Sequence, residues 1–66
     1  MDSISAIAAS VRAARKKAGL TQVDLADLAE VSERTVRAIE SATGNPSLRA
    51  VASVLGVLGL NLTVAR

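Results

Sequence analysis

Arg34 and Arg37 stand three positions apart, close to one helical turn, with Ser32 and Glu33 before them and Thr35 between them. A guanidinium is a planar fork of five donors. It bonds bidentately to the acceptor edge of guanine, while a carboxylate accepts from the amino group of cytosine. Short polar and basic groups at this spacing therefore offer one class of chemistry, hydrogen bonding to base edges. Each residue also has a plainer reading. Arg34 and Arg37 taken alone describe a solvated helix face, and Glu33 equally suits the positive end of a helix. Arg12, Arg15, Lys16 and Lys17 form a second basic group. They divide between contact with phosphate and cations at the negative end of a helix.

Other chemistries lack their residues. The chain has no His and no Cys, which excludes disulfides, the usual transition-metal sites, Cys nucleophiles and His general bases. No Phe, Tyr or Trp is present to stack on unpaired bases. Asp24 and Asp27 sit near a helix start, where acids are ordinary, and do not make a catalytic carboxylate pair. Gly19, Gly44, Gly56 and Gly59 are too scattered to cradle a phosphate. We therefore expect no enzyme, no metal and no cofactor. Eight basic against six acidic residues give a net charge of +2, which permits a polyanionic partner without requiring one.

These side chains must be positioned by very little protein. Sixty-six residues make one domain, 1–66, of marginal stability, for which self-association is the available reinforcement. Half the residues are apolar, too many for a disordered chain. The longest apolar run, Val54 to Leu60, is interrupted only by glycines and falls far short of the ~20 residues of a membrane span. Met1-Asp2-Ser3 has no basic, apolar leader character, so a cytoplasmic protein is expected, associated with the nucleoid when bound to DNA.

Helical periodicity and capping residues predict four helices within 4–58. The first is capped by Ser3 and carries an apolar stripe of Ile4, Ile7, Ala8, Val11, Ala14 and Ala18 before Gly19 stops it. Thr21 caps the second, with Asp24 as a short-armed capping-box partner, and Leu25, Leu28 and Ala29 face inward. Ser32 caps the third, with Val36 and Ile39 inward. Asn45-Pro46 starts the fourth, from about Ser47 to Leu58, with Pro46 at the first helical position. The fourth helix is apolar on two faces, and one of them needs a partner beyond the three preceding helices.

Leu60, Leu62 and Val64 then alternate with Asn61, Thr63 and Ala65, as in a half-buried strand over 60–65. A lone strand must pair outside its own chain. The expectation is an all-α, four-helix domain with one short C-terminal β-strand that pairs across a homodimer, and Val54, Val57, Leu60, Leu62 and Val64 at the interface.

Residues 22–41 describe two short helices around a tight turn. Ala26 is small enough for a helix crossing, and Leu25, Val31, Val36 and Ile39 supply a shared core. In this helix-turn-helix pattern the second helix enters the major groove of DNA.

The stretch from Thr21-Gln22 to Glu40, with Asn45-Pro46-Ser47-Leu48 after it, resembles the Cro/C1-type (Xre-like) helix-turn-helix repressors over residues 4–58. The tail Leu58-Gly59-Leu60-Asn61-Leu62-Thr63-Val64 is similar to that of HipB-type antitoxins. The resemblance implies a lambda-repressor-like fold and a homodimer on a palindromic double-stranded operator. It also implies a kinase-like toxin as partner and repression of the chain's own operon. A stand-alone repressor, or a module serving chiefly to neutralise a toxin, are the alternatives. Matched position by position, Gln22 and Ser32 fall at phosphates, Thr35 at a phosphate or a methyl group, and Glu33, Arg34 and Arg37 face the base edges; Arg15 and Lys16, at the basic end of the first helix, are expected to add phosphate contacts. The sequence departs from the pattern at Glu30, where Gly is common in the turn. It departs again at Ala38, where a longer polar residue is frequent, and at Ala42-Thr43, which lacks the usual basic residues.

Overall fold

The computed structural model describes residues 3–62. Four helices follow one another: α1 (Ser3–Lys17), α2 (Gln22–Ala29), α3 (Glu33–Ser41) and α4 (Leu48–Val57). Each of α2, α3 and α4 begins where a hydroxyl captures an otherwise orphaned backbone N–H. Thr21 Oγ1 accepts from Asp24 N–H at 3.0 Å, Ser32 Oγ from Thr35 N–H at 3.1 Å, and Ser47 Oγ from Ala50 N–H at 3.1 Å. The Asp24 carboxylate returns the bond to Thr21 N–H at 2.9 Å, completing the expected capping box.

Two starts differ from the sequence reading. Ser3 already lies within α1. Ser47 takes the cap of α4, so Pro46 precedes the helix and is not its first residue.

All four helices end in the same device. The N–H two residues beyond the helix's last full turn reaches back to a carbonyl five positions earlier. Leu20 bonds Arg15, Val31 bonds Ala26, Thr43 bonds Ala38 and Leu60 bonds Leu55, at 2.8–3.1 Å. This geometry needs a left-handed residue at the corner. Gly19 (φ 74°) and Gly59 (φ 71°) supply it without strain, but Glu30 (φ 57°) and Ala42 (φ 56°) do not.

A left-handed L-residue costs roughly 1–2 kcal/mol, part of which glycine would return as chain entropy, about 0.4–1 kcal/mol. Glu30→Gly and Ala42→Gly should each therefore stabilise the domain by up to about 1 kcal/mol, raising the melting temperature by about 4–8 °C per kcal/mol in a domain this size. A lower melting temperature for either variant would show that the corner is held by something other than backbone geometry.

The core is entirely aliphatic: Val11 from α1, Leu25, Ala26 and Ala29 from α2, Val36 and Ile39 from α3, Val54 and Leu55 from α4. Ile7, Val31, Val51, Leu58 and Leu60 pack on its rim. Ala26 is 2% exposed where α2 packs, as its size requires.

Several apolar residues lie elsewhere than periodicity alone placed them. Leu28 is 60% exposed, because an eight-residue helix buries one narrow stripe and Leu28 lies about 100° around the axis from its centre. Ile4, in the first turn of α1, and Ala18, one residue beyond its end, are both exposed.

The largest correction concerns Val54, expected at a dimer interface. It is fully buried within its own chain, so it cannot reach a second protomer. The α4 face opposite the core carries Arg49, Ala52, Ser53 and Gly56, with Val57 on its flank, so large apolar side chains occupy one side of this helix only. Among the described residues of the tail no strand forms. Leu60 donates its N–H to Leu55 and half-buries its side chain on the core rim, while Leu62 and Val57 remain exposed. The rest of the expected strand, including Val64, lies outside the described residues.

Candidate nucleic-acid interface

The turn between α2 and α3 is three residues long, Glu30, Val31 and Ser32. Val31 packs on the core while Ser32 caps α3, and this pins the first turn of α3 at the surface. Val36 and Ile39 anchor the inner side of α3. At 100° per residue, Arg34, Arg37, Ala38 and Ser41 then fall on its outer side. Arg34 and Arg37 are exposed, and Arg34 makes no hydrogen bond or ion pair among the described residues. The N-terminal turn adds polar groups: the Ser32 and Thr35 hydroxyls lie 2.9 Å apart, in hydrogen-bond contact. Glu33 and Arg37 are joined across one turn, Arg37 Nη2 donating to Glu33 Oε2 at 2.8 Å. The structure thus brings Ser32, Glu33, Arg34, Thr35 and Arg37 onto one exposed helix start.

Arg15 has another task. Its Nε and Nη2 grip both oxygens of Glu40 at 2.6 and 3.0 Å, and its Nη1 donates to the Leu20 carbonyl at 2.8 Å. Only 11% of the Arg15 side chain and 4% of that of Glu40 meet solvent. In this structure the acid that engages Arg15 is Glu40, at a residue expected to meet a phosphate. Lys16, next to it, is exposed and unengaged among the described residues.

Gln22 sits at the first position of α2, half-buried, and its amide donates to Glu40 Oε1 at 3.3 Å. Glu40 thus ties α1, the start of α2 and the end of α3 together. The sequence reading passed over it. Its signal was available, because an acid four residues after Val36 and next to Ile39 falls near the buried side of α3 and needs a cation.

Burial pushes the Glu40 carboxyl up. Hydrogen bonds from Arg15 and Gln22, with the charges of Arg15 and Arg12, outweigh burial and hold it below its ordinary 4.5. The hydrogen bond to Glu40 raises Arg15 above its ordinary value, against burial. Asp24 is held below its ordinary 3.8 by the backbone and side chain of Thr21. Both carboxyls bind protons more weakly folded than unfolded, so their contribution is complete above the unfolded values and disappears as pH falls through the folded ones. With no His in the chain, melting temperature should be flat from about pH 6 to 8 and decline below about pH 4.5. Circular-dichroism melts check this, and Glu40→Gln should flatten the acid decline. An undiminished decline in that variant would assign acid sensitivity elsewhere.

Among the described residues no helix is long and apolar enough to cross a membrane, and no three acids gather as a metal site would require. Comparison with known protein families matches residues 11–64 to a helix-turn-helix family. No curated protein matches the chain.

Proposed function

This chain belongs to the Cro/C1-type helix-turn-helix family of DNA-binding transcription regulators, and on that premise we propose that it acts as a repressor that reads a palindromic operator through α3. The observation carrying the proposal is the α3 start, where Arg34 and Arg37 project into solvent beside the Ser32 cap. In this reading Arg34 and Arg37 donate to base edges, with Glu33 beside them. Ser32, Thr35, Gln22 and Lys16 meet the phosphates on either side. Arg15 is left out of the footprint because Glu40 engages it.

Two protomers would present two α3 helices about 34 Å apart, one turn of duplex. Occupying a promoter then blocks transcription. The exposed Val57 and Leu62 toward the C-terminal end favour a protein contact there, either a second copy or a kinase-like toxin that this chain neutralises as an antitoxin. Co-purification of the product of a neighbouring kinase-like gene separates the antitoxin from a stand-alone repressor.

The experiment is a binding titration on duplex DNA across salt. Each phosphate neutralised contributes close to one unit to the log–log salt slope, so six to ten contacts per dimer would weaken binding by roughly 10³–10⁵ between 50 and 200 mM. Affinity that does not change with salt would contradict the proposal.

A further inference from the structure

We propose that Glu33 is a specificity-determining residue that works through Arg37. The two side chains form one composite reader, which takes a guanine together with a neighbouring exocyclic amino group in the major groove. This rests on the reading of α3 as the DNA-contacting helix.

The pair is built for joint use. Arg37 gives only Nη2 to Glu33, and its Nε and Nη1 have no partner among the described residues. The guanidinium is thus held from one side, while the second Nη2 hydrogen with an adjacent free donor leaves an edge for the N7 and O6 acceptors of guanine. Glu33 likewise uses Oε2 alone and keeps Oε1 available as an acceptor for a cytosine N4 or adenine N6 amino group. Both side chains are open to an incoming ligand, at 43% and 59% exposure. An exposed pair at this spacing contributes little to helix stability, so engaging a ligand costs the fold little. Arg34, on the same exposed side, makes no ion pair among the described residues.

Placed in a groove, Glu33 acts in two ways. It removes rotamers from Arg37, so the guanidinium meets the base already oriented. It also brings a negative charge among phosphates, where its desolvation is compensated only if an amino donor meets it. On a sequence without that donor the carboxylate repels the duplex, and Arg37 is kept from simply gripping phosphate. Glu33 therefore lowers affinity for wrong sequences more than it raises affinity for the right one. Arg34, unrestrained, supplies affinity with less discrimination.

The test uses the intact chain, a duplex enriched by selection from random sequences, and the same duplex scrambled. Affinities are measured for wild type, Glu33→Gln, Arg37→Ala and the double variant, after melts confirm that each is folded. Glu33→Gln is expected to bind the scrambled duplex more tightly, by about threefold or more, and to lose about tenfold in the ratio between the two duplexes, within the range of a good base contact. Its salt slope on the scrambled duplex should steepen by about one as Arg37 reaches a phosphate. In the Arg37→Ala background, Glu33→Gln should change the ratio by clearly less than it does in wild type, the mark of a coupled pair. A ratio unaltered by Glu33→Gln, or an equal effect in both backgrounds, overturns the composite reader while leaving α3 as a DNA-binding helix. Wild type that binds both duplexes equally overturns it too, and wild type that binds neither removes the underlying reading as well.

Discussion

Replacing Arg15 with Met is expected to remove about 3 kcal/mol of stability, the lower end for breaking a buried ion pair, since Arg15 keeps an edge in water. The loss has a specific origin. Glu40 would remain 4% exposed with only the 3.3 Å amide of Gln22 to satisfy it, and the Leu20 carbonyl would lose its donor. A domain of this length is stable by roughly 3–10 kcal/mol in total, so the single variant should be substantially unfolded at its lower bound. Chemical denaturation followed by circular dichroism reads the effect. Arg15→Met combined with Glu40→Leu should recover most or all of the loss, because neither desolvated charge is then present. A double variant as unstable as the single one would mean that Arg15 matters for its packed aliphatic stem and not for its charge. A single variant of unchanged stability would mean that Glu40 finds another cation.

The ease of reading this chain differs from element to element, for physical reasons. Thr21, Asp24 and Ser32 announce helix starts because a cap is a local event, settled by side chains within three residues. Val11, Leu25, Val36 and Ile39 were legible as core because each sits in a helix with one clear apolar stripe. Periodicity failed where it was ambiguous. In α4 valines, leucines and alanines follow one another almost without a break, and nothing local distinguishes Val54, which is fully buried, from Val57, which is exposed at the flank. Leu28 was misplaced for another reason, since the short α2 buries only a narrow stripe and Leu28 lies off it.

The Arg15–Glu40 pair spans 25 positions. Its partners meet only once α1 and α3 are packed, and so the sequence alone suggested a phosphate for Arg15. The sequence singled out Glu30 as standing where Gly is common, and that position is a left-handed corner. The corner at Ala42 was not singled out, since an alanine carries no side-chain signal for it. On α3 the polar residues were identified, but their pairing into Glu33–Arg37 and Ser32–Thr35 became visible only in the fold.

Replacing both Arg34 and Arg37 with Ala carries the largest expected effect on DNA binding. Each base-edge contact accounts for about 1–3 kcal/mol, so together they should cost about 2–6 kcal/mol on the chain's own site, on the order of 30-fold to 10⁴-fold in affinity. Both side chains are exposed and outside the core, so the melting temperature should stay close to wild type. Loss of binding with the fold retained assigns the effect to contact. Equal losses on selected and scrambled duplexes would demote both arginines to phosphate contacts. Retained affinity would place the DNA-binding surface elsewhere on the molecule.

The most direct test is selection of bound duplexes from a random library at moderate salt, followed by sequencing. Enrichment of an inverted repeat with half-site centres one helical turn apart, about 10 base pairs, is the expected result. It would show sequence readout and a two-fold pair of α3 helices together. A folded protein that enriches no sequence would contradict readout by α3 and leave Arg34 and Arg37 as a solvated face.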